Sequence, residues 1–254
     1  MYDIAIIGAG IAGLTAAIYG CRANKKVLVL ESKVYGGQII NTLEIENWPG
    51  DFGVSGVDLM KKVYQQAVEL GAEMEFDEVT KLVDNGDYKE IVCEDETYQA
   101  KTVIVATGTD PRKLSEKQAK DAGERAISYC ATCDGALYKG RPVVVVGSGN
   151  TAKDEIGYLK NIASKVYHIH HDDPIPSDAV AVFVAIGRVP STKFLQDFVD
   201  LDKNGYVVAA EDCKTSRDGV FVAGDCRTKD VRQLVTAASD GAVAAGAAIE
   251  YLNR

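Results

Sequence analysis

The sequence contains no long uninterrupted hydrophobic segment and no excess of basic residues. Its 254 residues include 28 lysines and arginines against 37 aspartates and glutamates, which gives a formal net charge of −9 at pH 7. Such a chain lacks the clustered cations that nucleic acid binding requires. No apolar stretch approaches the roughly 18 residues of a membrane-spanning helix, and no basic leader precedes the first predicted strand. We therefore expect a cytoplasmic protein that binds neither nucleic acid nor membrane.

Cysteine is also scarce and unevenly placed. Six cysteines in a chain of 254 residues are too few for a secreted disulfide scaffold. Only Cys130 and Cys133 are close in sequence, and no second cysteine or histidine pair stands at zinc-ligand spacing, so no metal site is predicted. The other four are predicted to be buried or half-buried thiols: Cys21, Cys93, Cys213 and Cys226.

A glycine-rich loop follows the first predicted strand, residues 3–7, and opens a predicted helix. The loop reads Gly8-Ala9-Gly10-Ile11-Ala12-Gly13. Its first glycine permits a tight turn, the second lets the backbone approach a pyrophosphate, and the third lets the helix pack closely on the strand. A second predicted strand ends in Glu31, about twenty residues further on, where a carboxylate would bind a ribose hydroxyl. The combination predicts a dinucleotide site without distinguishing FAD from NAD.

Several later segments are suited to lie along a flavin cofactor. A glycine-punctuated stretch contains Gly36-Gly37-Gln38 and then Glu46-Asn47-Trp48-Pro49-Gly50. A predicted strand at residues 102–105 ends in Ala106-Thr107-Gly108, and another at residues 220–223 ends in Gly224-Asp225. Each segment alone could be an ordinary strand and turn, but their order along one chain favours FAD.

A Cys-x-x-Cys motif precedes a second glycine-rich loop. It lies within Ser128-Tyr129-Cys130-Ala131-Thr132-Cys133-Asp134-Gly135. Two intervening residues let the sulfurs form a reducible disulfide, and this motif can lower the pKa of a thiol to about 7. Asp134 is a candidate proton donor or acceptor beside the thiolate, although it could instead cap a helix N-terminus. The pattern predicts a redox-active disulfide.

These motifs, in this order and along nearly the whole chain, resemble the low-molecular-weight thioredoxin reductases. The match extends to Arg232-Gln233 before the last predicted helix. The resemblance implies an α/β protein with a discontinuous Rossmann-like FAD domain, formed by residues 1–112 and 179–254. Residues 113–178 would form an inserted, truncated central α/β domain that carries the Cys-x-x-Cys motif. It also implies a homodimer that acts on thioredoxin.

The resemblance further implies a role for individual residues. Cys130, Cys133 and Asp134 would be catalytic, with Cys133 facing the flavin and Asp134 as general acid. The sequence does not indicate which cysteine attacks thioredoxin. Glu31 would bind the adenosine ribose and Asp225 the ribityl hydroxyls. Gly37, Gln38, Asn47 and Gln233 would line the isoalloxazine or the phosphates. The remaining implied cofactor contacts are Gly8, Gly10, Ile11, Ala12, Gly13, Gly36, Ala106, Thr107, Gly108, Gly224 and Arg232.

The departures from the family pattern follow the second glycine loop, Gly147-Ser148-Gly149-Asn150-Thr151-Ala152. Members that use NADPH continue with a His-Arg-Arg-x-x-x-Arg pattern whose cations hold the ribose phosphate. Here the run is His170-His171-Asp172-Asp173-Pro174-Ile175-Pro176, so the three arginine positions hold His171, Asp172 and Pro176. Guanidinium groups bind phosphate in a bidentate manner, whereas an aspartate repels it. The substitutions predict poor NADPH binding.

The central region is also short. Only 40 positions (187 − 147) separate Gly147 from Gly187. We predict a single βαβ unit here, with strands at residues 142–146 and 165–169 and a helix at 150–163, and assign residues 179–190 to the return into the FAD domain. One βαβ unit is too small to form a dinucleotide crevice. The second glycine loop is then interpreted as a packing relic.

A truncated central domain resembles the ferredoxin-dependent flavin thioredoxin reductases. That resemblance implies electron flow from reduced ferredoxin through FAD and the Cys130–Cys133 disulfide to thioredoxin. Two basic groups could steer an acidic ferredoxin, unless they are ordinary solvated residues: Arg112, Lys113, Lys117 and Lys120, or Arg227, Lys229 and Arg232. The alternative functions are a flavin dithiol oxidase that uses oxygen, an NADPH-type thioredoxin reductase and a non-enzymatic redox sensor.

Overall fold

The computed structural model describes the chain from Met1 to Arg254 except the side chain of Asn150. The chain forms two compact units. The discontinuous unit contains Met1–Thr109 and Pro190–Arg254, and the inserted unit contains Asp110–Val189. The inserted unit therefore begins three residues earlier than the predicted start at 113, and it ends at 189 rather than 178.

The strands and helices alternate over much of the chain. The strands are β1 (Tyr2–Ile7), β2 (Val27–Glu31), β3 (Glu73–Phe76), β4 (Val79–Asp84), β5 (Lys89–Cys93), β6 (Thr97–Val105), β7 (Thr109–Pro111), β8 (Ala126–Ser128), β9 (Pro142–Val146), β10 (Lys165–Ile169), β11 (Ala181–Val184), β12 (Arg188–Pro190) and β13 (Val220–Val222). The helices are α1 (Ile11–Arg22), α2 (Gly56–Glu69), α3 (Glu116–Ala122), α4 (Ala131–Asp134), α5 (Asn150–Leu159) and α6 (Leu234–Leu252). Short 3-10 turns occupy Gly37–Asn41, Gly135–Tyr138, Lys193–Leu195 and Gly224–Cys226.

The discontinuous unit is built on a seven-stranded sheet. Its order is β3-β2-β1-β6-β5-β4, with β13 also pairing with β6. Five strands are mutually parallel: β3, β2, β1, β6 and β13. The strand β5 is antiparallel to both of its neighbours, β6 and β4. This is the Rossmann-like α/β arrangement expected from the sequence. Its parallel strands all end at one edge, where such sheets bind ligands.

The strand β1 separates two hydrophobic cores because successive side chains of a strand point to opposite faces. Ile4 and Ile6 pack with residues of α1, α2 and α6. Ala5 and Ile7 pack on the other face with β4, β5 and residues near 195–207. Complete burial of an isoleucine side chain contributes about 1.5–3 kcal/mol. The two cores fix β1, and with it the glycine loop at its carboxyl end.

The inserted unit contains a four-stranded parallel sheet of order β10-β9-β11-β8. The prediction of a single βαβ unit was wrong, as was the assignment of residues 179–189 to the FAD domain. All four residues of β11 are buried, and β11 pairs with β9 on one side and β8 on the other. A strand of such complete apolarity needs neighbours on both edges and cover on both faces. The apolar strand β9 likewise needs a strand on each side, and it pairs with β10 on one side and β11 on the other.

The chain passes between the two units twice, within β7 and within β12. These two strands pair with each other in a two-stranded sheet. No helix among the described residues combines the length and the apolar character needed to cross a lipid bilayer.

Candidate active site

The glycine loop lies where β1, β2 and β6 end. The backbone N–H of Gly8 donates to the carbonyl of Leu30 at 2.7 Å, and that of Ala106 donates to Ile7 at 2.8 Å. Glu31 closes the loop: its Oε2 accepts the N–H of Ala9 at 2.9 Å. A carboxylate has about four acceptor positions, so Glu31 retains capacity for a ribose diol. The predicted residues of this loop are thus brought together as expected.

Two of the loop glycines are required by close packing, and a third faces open space. Gly8 has a φ of +105°, and a Cβ there would lie 2.5 Å from the carbonyl oxygen of Ala106. A Cβ on Gly13 would lie 1.9 Å from the oxygen of Gly8. Gly10, at the N-cap of α1, has no heavy atom within 4 Å of a Cβ position. The backbone is therefore bare on the side where a pyrophosphate would approach the helix N-terminus.

The segments from the rest of the unit converge on this loop. Gly36 donates its N–H to the carbonyl of Ala9 at 2.8 Å. A Cβ on Gly37 would lie 3.3 Å from the Cα of Gly10, and one on Gly224 would lie 3.0 Å from the Cβ of Ala12. The sequence-predicted cofactor segments at residues 8–13, 31, 36–38, 106–108 and 224–225 are therefore neighbours in space.

We call these converging segments, at residues 8–13, 31, 36–38, 106–108 and 224–225, the cofactor cradle. Three polar side chains of the predicted set form contacts that stabilise it. Asn47 Nδ2 donates to Gln233 Oε1 at 3.2 Å, across 186 residues of sequence. The Nε of Arg232 donates to the backbone oxygen of Asp225 at 3.2 Å, and its guanidinium lies 4.3 Å from the ring centroid of Tyr206. These contacts tie the Gly224–Asp225 turn and the start of α6 to the loop that contains Asn47.

The redox motif lies on α4 of the inserted unit. Cys130 is the N-cap of this short helix and forms a disulfide with Cys133, with 5.3 Å between their Cα atoms. Both cysteines and Asp134 are half-buried. The disulfide pairing agrees with the prediction from the Cys-x-x-Cys spacing, while the catalytic assignment stays a prediction.

Ser128 contacts the redox motif in a way that sequence reasoning did not predict. Its hydroxyl donates to Asp134 Oδ2 at 2.6 Å, and its Oγ accepts the N–H of Cys130 at 3.1 Å. Ser128 is 5% exposed at the end of β8. It fixes the carboxylate and the first cysteine relative to each other. The only sign of this in the sequence is that Ser128 lies two residues before Cys130.

Replacing Ser128 with alanine is expected to lower disulfide turnover about tenfold. The reason is that a hydrogen bond to a charged group contributes roughly 1.5–3 kcal/mol, and about 1.4 kcal/mol is tenfold in rate. The matched control is Ser115→Ala, since Ser115 Oγ also donates to a carboxylate at 2.6 Å, that of Asp172. Turnover should be measured with a chromogenic disulfide, and equal losses in both variants would contradict the role of Ser128.

A second carboxylate approaches the motif from α5. Burial raises the pKa of Glu155, while a hydrogen bond with the backbone of Ala131 and the charge of Arg188 act in the opposite direction. Ala131 follows Cys130 directly. Glu155 could not be selected from the sequence, because its approach depends on how α5 packs against α4.

The second glycine loop keeps its backbone form at the end of β9. Gly147 has a φ of +150°, and a Cβ there would lie 2.3 Å from the oxygen of Ala185. Gly149, the N-cap of α5, faces open space. The following loop residue, Asn150, has a side chain outside the described part of the chain. Close packing against residue 185 explains why Gly147 is required whether or not a ligand binds.

The segment that replaces the arginine pattern is short, acidic and held by α3. Ser115 and Lys117 donate to Asp172, and Gln118 Nε2 donates to the carbonyls of His170 and Asp173 at 3.0 and 3.1 Å. The hydrogen bond from Ser115 lowers the pKa of Asp172, which is exposed, so this position carries a negative charge at neutral pH. We call residues 170–179 the short connection.

The rest of α3 and the residues after it also bond to the short connection. Asp121 accepts the N–H of Ile175. Arg125 donates to the backbone oxygens of Ala179 at 2.8 Å and Ser177 at 3.3 Å. The short connection is therefore an integrated part of the inserted unit.

In one of the two basic groups predicted to steer a partner, two of the three cations are not available at the surface, and the third, Arg232, is half-buried. Arg227 and Lys229 are buried and form ion pairs with Asp240. Sequence reasoning cannot distinguish such buried cations from solvated ones, because the pairing carboxylate lies on α6. The other group is exposed and consists of Arg112, Lys113, Lys117 and Lys120.

A dinucleotide cradle in one unit and a Cys-x-x-Cys disulfide in the other define a dinucleotide-dependent disulfide oxidoreductase. The family model of the pyridine nucleotide-disulphide oxidoreductases matches residues 2–180 and 176–242. The thioredoxin reductase of Listeria innocua is 34% identical over 99% of this chain and 94% of its own length. The structure of thioredoxin reductase from Streptococcus pyogenes is 34% identical with a TM-score of 0.92, covering 100% of this chain and 98% of that chain. A ferredoxin-flavin thioredoxin reductase from Clostridium acetobutylicum is 28% identical with a TM-score of 0.64, covering 99% of this chain and 97% of that chain.

The chain belongs to the thioredoxin reductases of the pyridine nucleotide-disulphide oxidoreductase family. Its cofactor is FAD, and the residues present fit that group. Gly10 leaves the backbone open to a pyrophosphate, and Glu31 faces the same loop. The alignment with the Listeria innocua protein extends over 300 positions, so at least 46 of them (300 − 254) have no counterpart in this chain.

Proposed function

We propose that this protein reduces thioredoxin with electrons from reduced ferredoxin, and that it does not use NADPH. The observation that carries this proposal is the short connection, residues 170–179. It has Asp172 where NADPH-using relatives of the family pattern have an arginine, and α3 holds it in place by hydrogen bonds. An anion at that position repels the ribose phosphate of NADPH.

The length of the chain supports the same conclusion. At least 46 aligned positions of the Listeria innocua relative are absent, and the predicted shortening falls in the inserted unit. The inserted unit retains four parallel strands, and its glycine loop lies at the carboxyl end of β9. A shortened unit offers a dinucleotide less surface to lie across than a full nicotinamide domain would.

When bound, FAD supplies the chemistry that converts single-electron delivery into a two-electron reduction. The chain's own residues then carry the pair onward. In the proposed scheme Cys133 Sγ receives the electrons, the Cys130–Cys133 bond breaks, and two protons complete the dithiol. Asp134 delivers or removes a proton at these sulfurs, and Ser128 keeps its carboxylate in position.

Thioredoxin is reduced by exchange with this dithiol. One cysteine attacks the thioredoxin disulfide as a thiolate and forms a mixed disulfide. The other cysteine then attacks the mixed disulfide, which re-forms Cys130–Cys133 and releases thioredoxin as a dithiol. Each cycle consumes two electrons and two protons, so it needs two reduced ferredoxins. Potentials of about −400 mV for such a ferredoxin and about −270 mV for thioredoxin make the transfer favourable by roughly 6 kcal/mol.

The ferredoxin partner is expected to bind through the exposed cations Arg112, Lys113, Lys117 and Lys120. An acidic partner approaching a chain of net charge −9 needs a local positive surface to associate rapidly. A homodimer and a cytoplasmic location remain predictions.

The electron donor is tested by anaerobic absorption spectroscopy of the FAD-loaded protein. Chemically reduced ferredoxin should bleach the flavin band within the time of a turnover, and equimolar thioredoxin should restore the band. NADPH should leave the band unchanged over the same period because Asp172 repels its ribose phosphate, and NADH should do so because the shortened inserted unit offers it less surface. A thioredoxin reductase with the His-Arg-Arg pattern is the positive control for NADPH, and photoreduction controls for flavin competence.

The other outcomes separate the alternatives. Bleaching of the flavin band by NADPH within seconds would indicate an NADPH-type reductase and contradict the proposal. Rapid peroxide formation from a small dithiol in air would instead favour a dithiol oxidase. Absence of turnover with every donor, in protein whose flavin photoreduces normally, would favour a sensor.

A further inference from the structure

A carboxylate of α6 is buried behind the Gly224–Asp225 turn. Asp240 is 5% exposed, and its Oδ2 accepts the backbone N–H of Gly224 at 2.9 Å. Arg227 donates to both of its oxygens, at 3.0 and 2.9 Å, and Lys229 donates to Oδ2 at 2.7 Å. One carboxylate therefore gathers four donors from a six-residue stretch. Nothing in the redox scheme uses this cluster.

Burial of this charged cluster is energetically unfavourable. The side chains of Arg227, Lys229 and Asp240 are 2%, 5% and 7% exposed. Removing charges from water is unfavourable, and apolar residues of similar volume often stabilise a fold equally well. Burial alone would raise the pKa of Asp240, but the hydrogen bonds from Arg227 and Lys229 outweigh it and lower the pKa. Asp240 is thus an anion that holds residues 224–229 in place, although the burial of its charge is unfavourable.

The geometry that it fixes belongs to the cofactor cradle. Gly224 has a φ of +79°, and its Cβ position lies 3.0 Å from the Cβ of Ala12 in the first turn of α1. Gly241, the neighbour of Asp240, would place a Cβ 2.2 Å from the carbonyl oxygen of Ala12. Residues 224 and 241 therefore touch the same turn of α1, the one whose N-terminus faces the pyrophosphate position.

We propose that Asp240 is a positioning residue for FAD. It holds the N–H of Gly224, and through it the turn that presents Asp225, against the first turn of α1. Arg227 and Lys229 keep the carboxylate ionised and oriented. This role depends on FAD being the cofactor and is independent of the electron donor.

The same unit provides a matched control. Asp84, at the β4–β5 hairpin, also binds one lysine, one arginine and one glycine N–H. Its partners are Lys89 at 2.8 Å, Arg217 at 3.1 Å and the N–H of Gly86 at 3.0 Å. Asp84 contacts none of the cradle segments in these bonds. Asp240→Asn and Asp84→Asn therefore remove the same kind of interaction at two places.

The experiment measures FAD binding to the apoproteins of both variants, together with their thermal unfolding. Both variants should unfold at lower temperature than the parent. Asp240→Asn should also weaken FAD binding about tenfold or more, a change that corresponds to about 1.4 kcal/mol, and should alter the absorption band of bound FAD. Asp84→Asn should leave FAD affinity and the band within experimental error. Equal effects of the two variants on affinity, or no effect of Asp240→Asn, would overturn the proposal.

A second pair covers the case in which Asp240→Asn does not fold. Lys229→Met removes one cation but keeps the Arg227–Asp240 pair, and Lys89→Met is its counterpart at Asp84. Weaker FAD binding in the first variant alone supports the positioning role. Indistinguishable affinities contradict it.

Discussion

Replacing Cys133 or Cys130 with serine is expected to lower thioredoxin reduction by at least about a thousandfold, as removal of a covalent catalytic group commonly does. Reduction of bound FAD by ferredoxin should survive, because the cradle lies on segments of the discontinuous unit. Both rates can be read from one protein preparation. The flavin band reports the first half of the reaction anaerobically, and a coupled insulin precipitation assay reports the second.

The control for this prediction is Cys21→Ser. Cys21 is half-buried on α1, and burial raises the pKa of its thiol, so it is a poor nucleophile at neutral pH. Its replacement should leave both rates unchanged. Thioredoxin reduction that persists in Cys130→Ser or Cys133→Ser would exclude the disulfide as the route of the electrons. Loss of flavin reduction in either variant would indicate misfolding or a role in donor binding.

Replacing Gly10 with valine is expected to weaken FAD binding by at least about a hundredfold, or roughly 2.7 kcal/mol. The backbone of Gly10 has φ −75° and ψ −177°, which any residue adopts, and its Cβ position has no heavy atom within 4 Å. The variant should therefore fold. The added side chain would occupy the space in which the pyrophosphate approaches the loop. FAD fluorescence quenching on titration of the apoprotein measures the loss.

Gly149→Val is the matched control in the second loop. Gly149 is also a helix N-cap, with φ −83° and ψ −174°, and its Cβ position is equally open. The two substitutions cost the helix a similar amount of capping energy. We expect normal FAD binding and normal ferredoxin-driven turnover in Gly149→Val. A large loss of turnover there would mean that the second loop still binds a ligand, which would contradict its interpretation as a packing relic.

The cofactor cradle could be predicted from sequence because its constraints are local. Gly8 and Gly13 are fixed by contacts within a few residues or with a neighbouring strand, and Glu31 follows β2 directly. Cys130 and Cys133 are similarly defined by their spacing. The local sequence of such a motif specifies its geometry, so the motif can be recognised in any chain that contains it.

Other features could not be predicted because they depend on partners far along the chain. The apolar run of β11 fits any parallel sheet, so nothing in residues 181–184 indicates which unit it joins. Arg227 and Lys229 resemble surface cations until Asp240 of α6 is placed beside them. Ser128 became recognisable only when its bond to Asp134 was seen.

The short connection has a consequence for any attempt to convert a longer relative into this form. Its carbonyl groups at residues 170 and 173 are satisfied by the amide of Gln118, and its last residues by Arg125. Excision of the extra residues alone would exchange these part-buried hydrogen bonds for bonds to water, at a net loss of about 0.5–1.5 kcal/mol each. The deletion, Gln118 of α3 and Arg125 after it therefore form one module, and a stable conversion would have to transfer all three together.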